Sequence, residues 1–222
     1  MSFSNTKNLL WISAAIILLV LVIDQWLKFW VKTNMYLGEE LALFGNWSFI
    51  HFTENYGMAF GLEFGGSIGK ILLSVFRIIA SFGIGWYIVH LAKTNAHKGL
   101  IISFSLILAG ALGNIIDSAF YGLLFSDSAE GIAQFLPVEG GYAGFLHGRV
   151  VDMFYFPVLH GQLPQWLPIW GGESFLFFRP VFNVADSAIT VGVIIYLIFH
   201  RHVSSSTTNE PADQPVVSEE SQ

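Results

Sequence analysis

The 222-residue sequence contains no cysteine and few charged residues. Without cysteine the chain has no disulfides, iron–sulfur clusters, cysteine-ligated zinc or thiol nucleophiles, so any chemistry depends on other side chains. Charged residues make up only 12%, with 10 Lys and Arg against 16 Asp and Glu. No basic run exists that would neutralise a phosphate backbone, which argues against nucleic-acid binding. The chain is instead rich in apolar residues, at 54% with a mean hydropathy of +0.60, as is typical of a membrane protein.

Four apolar segments are long enough to cross a bilayer, which takes roughly 20 helical residues. They cover about 9–30, 71–92, 99–121 and 180–200. The first is preceded by a single basic residue, Lys7, and no small-residue cleavage site follows it. We therefore predict an uncleaved membrane anchor rather than a secretory signal.

The distribution of charge predicts the orientation of these spans. Lys93 and Lys98 lie in the short loop after the second span, and Arg201 follows the fourth. Most acidic residues of the connections lie in the long segments 32–70 and 122–179. Because positive residues favour the cytoplasmic side, both termini are predicted to be cytoplasmic and the long segments to face outward.

The long outer segments differ in composition from the polar C-terminus. Residues 41–62 are aromatic and β-enriched and predict short strands at the membrane surface. The later segment is rich in Gly, Pro and aromatics and predicts an extended loop with a membrane-contacting stretch. Residues 203–222 lack aromatics and predict a disordered cytoplasmic tail. The predicted fold is thus one polytopic α-helical membrane domain, 1–202, with four transmembrane helices, a small β-rich extracytoplasmic segment after helix 1 and an extended extracytoplasmic loop between helices 3 and 4.

Several ionisable residues interrupt the apolar spans, where each costs about 2.5 to 3.5 kcal/mol at a helix centre. Asp24 and Lys28 are spaced i,i+4 and predict an ion pair on one helix face. Arg77 lies near the outer end of the second span, and the simplest interpretation is a structural one, in which its long side chain reaches outward to the interface.

Two asparagine–aspartate pairs occur at similar depth in the third and fourth spans. Asn114 and Asp117 are spaced i,i+3, and Asn183 and Asp186 repeat that spacing. Small residues on both spans, including Ala185, favour close helix contact. Asp152 lies in the outer segment within apolar sequence. The sequence therefore predicts carboxylates gathered at one outward-facing site.

Carboxylates gathered in a low-dielectric site cannot all be ionised, because like charges raise the pKa of one of them until a proton is shared. This is the arrangement of aspartic proteases, in which one carboxylate accepts a proton from water and its partner acts as an acid. The sequence contains neither an HExxH zinc motif nor a G-x-S-x-G nucleophile elbow, so no metal or other cofactor is expected. These considerations alone leave Asp117, Asp152 and Asp186 as equal candidates.

Five short blocks, in order on the four-span frame, resemble lipoprotein signal peptidase, the signal peptidase II family of membrane aspartic peptidases. They are DQWLK at 24–28, NYGMAF at 55–60, GNIID at 113–117, VVDM at 150–153 and FNVADSAI at 182–189. The resemblance covers about residues 9–200.

The resemblance implies a bacterial inner-membrane enzyme that cuts diacylglyceryl-modified prolipoproteins just before the lipidated cysteine. It implies Asp152 and Asp186 as the catalytic dyad. It further implies residues that bind substrate or support the dyad: Asp24, Lys28, Asn55, Gly57, Asn114, Asp117, Asn183 and Ala185. A monomer in contact with membrane lipid and inhibited by globomycin is also expected.

The chain departs from the family pattern in two ways. Ser118 follows the GNIID block where the family usually has an arginine expected to hold substrate, and Arg149 is a candidate substitute. The segments 122–148 and 157–178 are longer than in compact relatives. They are expected to cover the outer mouth of the site, and a sharper hypothesis is a substrate-recognising lid.

Other classes of function remain open at this point. Intramembrane aspartates also serve as proton relays, so a small proton- or ion-coupled transporter subunit is the main alternative. A relay should distribute acids through the membrane depth, whereas these gather near the outer side. A packing or assembly protein would explain the Asn and Gly residues of spans three and four but not the five blocks in order. A further alternative is a peptidase-like protein that has lost activity, because Ser118 stands where the family usually has an arginine.

Overall fold

Five helices and six strands are described in the computed structural model, which covers residues 3–45, 47–56, 66–157, 159–162, 164–166, 172, 174–177 and 181–207. The long helices are α1 (Phe3–Asn34), α2 (Gly66–Lys93), α3 (Lys98–Ile116) and α5 (Val184–Thr207). A π-helical turn, Asp117–Tyr121, and the short α4, Gly122–Leu124, extend α3.

The four-helix membrane fold predicted from the sequence is confirmed, with a shorter fourth helix. Three described helices are long and apolar enough to span a membrane, and the apolar part of the fourth is the shorter Val184–Phe199. Large apolar side chains on their outer faces, such as Trp11 and Phe82, are more than 70% exposed, as expected of surfaces that face lipid.

The fourth helix starts later than predicted, at Val184 rather than near 180, because Val181–Phe182 forms a strand. Helix α5 also continues to Thr207, so residues 203–207 of the predicted tail are helical. The rest of that tail, 208–222, lies outside the described residues.

Helices α3 and α5 make the most extensive helix contact, and small residues on α3 permit it. A Cβ atom placed on Gly110 would lie 2.2 Å from the backbone oxygen of Ala185. A Cβ atom on Gly113 would lie 2.7 Å from Asp24 Oδ2 on α1. The backbones of α3 and α5 therefore approach more closely than any larger residue allows, as the sequence predicted.

An antiparallel sheet, formed by strands from the two long connections of the helices, carries part of the site. Its strands β1 (Glu40–Phe44), β2 (Ser48–Asn55), β3 (Val150–Tyr155) and β6 (Val181–Phe182) occur in the order β1-β2-β3-β6. The short strands predicted in 41–62 are thus present up to Asn55, while Gly57 and the following residues to 65 lie outside the described residues.

The long connection between α4 and α5 contains two parts besides β3 and β6. The first, residues 125–149, which we call the insert, closes on itself through a bridge between Phe125 and Phe135. The second includes the hairpin of β4 (Leu159–Gln162) and β5 (Ser174–Phe177). Several residues between these two strands lie outside the described residues, so the lid hypothesis for 157–178 stays a prediction.

Candidate active site

A fully buried lysine joins the C-terminal half of α1 to the C-terminal end of α3. Lys28 Nζ lies 2.9 Å from Asp24 Oδ2 and 2.8 Å from Asp117 Oδ2, and it donates to Asn114 Oδ1 at 3.0 Å. Its three hydrogens thus match three acceptor oxygens. The predicted pair with Asp24 is present, but it belongs to a network that also crosses to α3.

Gln25, which no sequence pattern singles out, completes this network. Gln25 Nε2 donates to Asp117 Oδ1 at 2.9 Å and to Asp24 Oδ2 at 3.1 Å. Its Oε1 accepts from the hydroxyl of Tyr121 at 3.2 Å. Only its place inside the DQWLK block marked this residue, because a lone glutamine beside an ion pair carries no periodic pattern.

Asn183 holds both proposed catalytic carboxylates and caps α5. Its Oδ1 accepts from the backbone N–H of Asp186 at 2.9 Å, and Asp186 Oδ2 accepts from the backbone N–H of Asn183 at 3.4 Å. This reciprocal pattern is a capping box, which explains the i,i+3 spacing of the two residues. Its Nδ2 donates to Asp152 Oδ1 at 2.7 Å. One asparagine therefore contacts both acids.

Asp152 reaches the site from the central strand β3 rather than from a helix. It is 4% exposed, and Asn55 Nδ2 on β2 donates to its Oδ2. In the strand register Asn55 faces Val150, which makes Asp152 its diagonal neighbour on the same face. Burial, and next the charge of Asp186, raise the pKa of Asp152 to about 8. Asp152 therefore keeps its proton at neutral pH.

Asp186 is held at the start of α5 by a contact from α3. Asn114 Nδ2 donates to its Oδ1 at 2.9 Å, and it lies in the first turn of α5, where the helix dipole favours a negative charge. Unlike the fully buried Asp117, Asp186 is only partly buried.

The remaining predicted site residues have structural contacts. Ala185 is fully buried, and its backbone N–H donates to Asp24 Oδ1 at 2.9 Å, which ties α5 to α1. Asn183 Nδ2 also contacts Asn114 Oδ1 at 3.2 Å, so the two asparagine–aspartate pairs meet as predicted. Gly57 lies outside the described residues.

The position where the family usually carries arginine is covered by the insert. Ser118 is 2% exposed, its Oγ donates to Asn114 O, and its carbonyl oxygen accepts from Gly148 N at 2.9 Å. Arg149, suggested as a substitute, forms hydrogen bonds from both guanidinium ends to Asp127 and from Nη1 to Glu54. Its guanidinium is therefore anchored by these two acids, and its role as a substitute for the family's arginine stays a prediction.

Arg77 on α2 interacts with the carboxylates of the site, and its reach toward the interface stays a prediction. It is partly buried, and the charged groups that act on it most strongly are Asp186, Asp117 and Asp152. Within the described part of the chain, no group of three or more His, Asp or Glu side chains is arranged to hold a metal ion.

Comparison with known proteins decides the family. The model of the family described as "Signal peptidase (SPase) II" matches residues 16–201. The chain belongs to the signal peptidase II family. The lipoprotein signal peptidase of Porphyromonas gingivalis strain ATCC 33277 is 52% identical over 193 residues, which cover 86% of this chain and 84% of that protein. That of Amoebophilus asiaticus strain 5a2 is 42% identical over 194 residues, covering 86% and 78%.

Solved structures agree with the signal peptidase II fold. A bacterial membrane enzyme determined by the in meso method at 1.9 Å resolution has 26% identity and a TM-score of 0.53, covering 85% of this chain and 91% of that chain. A second, determined at 2.3 Å, has 22% identity and a TM-score of 0.55, covering 91% and 94%, and supports the fold alone.

Membership in the signal peptidase II family confirms the resemblance and the class of function predicted from the sequence. The chain is a bacterial membrane protease of the aspartic type that removes signal peptides from prolipoproteins. The alternative of an ion-coupled transporter subunit is not supported.

Proposed function

We propose that Asp152 and Asp186 form the catalytic dyad of this peptidase and that it cuts diacylglyceryl-modified prolipoproteins just before the lipidated cysteine. The observation that carries the dyad assignment is the contact of Asn183 with both carboxylates. We assign Asp117 a supporting role rather than a place in the dyad, because Lys28 pairs with it, Gln25 and the Val151 N–H donate to it, and no part of its side chain is exposed.

The mechanism follows from the different surroundings of the two acids. Asp186 accepts a proton from water while the water oxygen attacks the scissile carbonyl. Protonated Asp152 donates a hydrogen bond to that carbonyl and stabilises the developing oxyanion. When the tetrahedral intermediate collapses, the C–N bond breaks, and the leaving nitrogen takes a proton from the dyad. No covalent enzyme intermediate forms.

The supporting residues hold this geometry. Lys28 donates to Asn114 Oδ1, which fixes the Asn114 amide so that its Nδ2 donates to Asp186. Asp24 fixes the start of α5 through the Ala185 N–H. Asn55 orients Asp152, and Gly57 of the same block is proposed to contact the substrate.

The proposal also covers the membrane setting of the enzyme. The loop lysines predict cytoplasmic termini, which place the dyad near the outer leaflet of the inner membrane. The signal-peptide helix enters between spans and unwinds at the scissile bond, because a carbonyl bonded within a helix cannot be reached. The lipid chains of the substrate stay in the bilayer beside a monomeric domain, 1–202, that binds globomycin.

Cleavage of one substrate with and without its lipid tests this function. We expect the purified enzyme in lipid vesicles to cut a diacylglyceryl-modified prolipoprotein just before the modified cysteine, as read by mass spectrometry of both products. The unmodified precursor should be cut at least tenfold more slowly, and globomycin should block the reaction. An enzyme that is inert on the modified precursor, or that cuts elsewhere, would contradict the proposal.

Topology is tested separately with single cysteines, because the natural chain contains none. A cysteine in the loop at Asn95 should react only with reagents that reach the cytoplasm, and one at Glu139 only with reagents outside. The reverse pattern would place the dyad near the cytoplasmic face of the membrane and contradict the proposed orientation.

A further inference from the structure

A second network of buried charges lies beside the dyad, and the reaction as described makes no use of it. We call it the Glu54 cluster; its members are Lys32, Glu54, Asp127, Ser128, Tyr142 and Arg149. Glu54 is at its centre, with a side chain only 2% exposed. One carboxylate oxygen pairs with Lys32 Nζ and accepts from Ser128 Oγ at 3.0 Å, and the other accepts from Arg149 Nη1 at 3.0 Å.

The insert closes over this cluster. Arg149 donates to both oxygens of Asp127, at 2.8 and 2.9 Å, and this contact holds the pKa of Asp127 at about 2. The Tyr142 ring centroid lies 4.7 Å from the Arg149 guanidinium and 5.0 Å from Lys32 Nζ. The Tyr142 hydroxyl also accepts from the Arg149 backbone N–H at 2.6 Å. Helix α1, strand β2 and the insert therefore meet at one set of charges.

The cluster fixes the strand ends that carry the catalytic contacts. Glu54 directly precedes Asn55, the residue that donates to Asp152. Glu54 faces Val151 in the β2–β3 register, and Arg149 directly precedes the first residue of β3. A shift of either strand end would move Asn55 relative to Asp152, because their contact joins these two strand ends.

The choice of charged residues points to a positioning role. Buried ion pairs add little to stability compared with apolar residues of similar size, but they impose one geometry. We propose that Glu54 and Arg149 are positioning residues that lock the ends of β2 and β3, so that Asn55 stays against Asp152 and the insert becomes part of the catalytic apparatus. This inference rests on the dyad proposed above.

The test compares Glu54→Gln with a matched change in the same sheet. Gln keeps the size of the side chain but removes the charge that holds Lys32 and Arg149. We expect kcat for the lipid-modified precursor to fall at least tenfold, with KM changed less than twofold. The control is Glu40→Gln on β1, whose carboxylate pairs with His51 and is 46% exposed. Its kcat and KM should equal those of the natural enzyme.

A double-variant comparison separates positioning from a general loss of structure. If Glu54 acts through Asn55, then adding Glu54→Gln to Asn55→Ala should lower kcat by less than twofold further. Should Glu54→Gln fail to fold, Asp127→Asn replaces it, because Asp127 is partly exposed and its side-chain hydrogen bonds to the cluster come from Arg149. We expect Asp127→Asn to lower kcat at least threefold.

The inference is overturned if the folded Glu54→Gln variant has the kcat of the natural enzyme, or if Asp127→Asn does where Glu54→Gln does not fold. It is also overturned if the effects of Glu54→Gln and Asn55→Ala on kcat are fully multiplicative. A rise in KM at constant kcat would also overturn it and assign the insert to substrate binding. An inactive natural enzyme, or an active Asp152→Asn variant, would instead refute the dyad, so the two failures are distinguishable.

Discussion

Replacing Asp152 or Asp186 by Asn is expected to lower the rate of prolipoprotein cleavage by roughly 10²- to 10⁴-fold, the usual contribution of a positioned acid or base. Asn preserves the size of the side chain and one of its two acceptor oxygens, so in a variant shown to be folded the loss reports mainly proton transfer rather than packing. The rate is measured by gel shift of a lipid-modified precursor under single-turnover conditions.

The folding of these variants provides an independent check with a definite sign. Because the pKa of Asp152 is raised in the folded state, the folded protein keeps a proton that the unfolded chain releases above its ordinary value near 4. Stability contributed by this proton is complete at low pH and is lost as the pH rises toward 8. Asp152→Asn lacks this loss and is expected to melt at the same or a higher temperature than the natural enzyme at pH 8.5.

Asp117→Asn is the control for the dyad variants. Asp117 is held by Lys28 and Gln25 and takes no part in proton transfer, so its Asn variant should keep measurable activity at reduced stability. If Asp117→Asn alone is inactive while Asp152→Asn still cuts, the chemistry belongs to a different pair of carboxylates.

Replacing Lys28 by Met is expected to destabilise the folded protein by about 3 to 5 kcal/mol, the typical cost of removing one partner from a buried ion pair. The change leaves the fully buried carboxylates of Asp24 and Asp117 without the cation between them. For a chain of this size the melting temperature in detergent should fall by roughly 10 °C.

The control for Lys28 is Lys93→Met, which removes an exposed lysine from the last turn of α2. Its melting temperature should lie within about 2 °C of the natural protein, since surface substitutions of this kind change stability by less than about 0.5 kcal/mol. Equal melting temperatures for the Lys28→Met and Lys93→Met variants would show that the buried network does not hold the helices together.

Local periodicity explains which parts of this structure could be predicted from the sequence. The i,i+3 spacing of Asn183 and Asp186 fixes both residues at the start of one helix, and the same spacing holds for Asn114 and Asp117. Small residues such as Gly110 indicated the close approach of α3 and α5. These features depend on neighbours within one helical turn, which a sequence displays directly.

The identity of the dyad required more than the pattern of residues. Asp117, Asp152 and Asp186 were equivalent by composition, and only the family resemblance separated them. The structure supplies a physical reason for the difference, since Asp117 is paired with Lys28 whereas Asp152 and Asp186 share Asn183.

Long-range contacts between charges were beyond the sequence analysis. Glu54 lies 22 residues from Lys32 and 95 from Arg149, and no local pattern joins them. Arg149 was interpreted as a candidate substitute for the family's arginine, and its hydrogen bonds to Asp127 and Glu54 were not visible in the sequence. The late start of α5 was missed for a similar reason, because Val181–Phe182 is strand only through its pairing with β3.

The most direct test of the dyad is the pH dependence of kcat/KM for the lipid-modified precursor. The charged groups that act on the Asp152 carboxyl include Asp186 from α5, Lys28 from α1 and Asp117 after α3, and Arg77 on α2 also interacts with it. Since Asp152 works in its protonated form and its pKa is about 8, we expect activity to fall tenfold per pH unit above about pH 8. A rate that stays constant up to pH 9.5, in an enzyme shown to remain folded there, would contradict the assignment of the shared proton to Asp152.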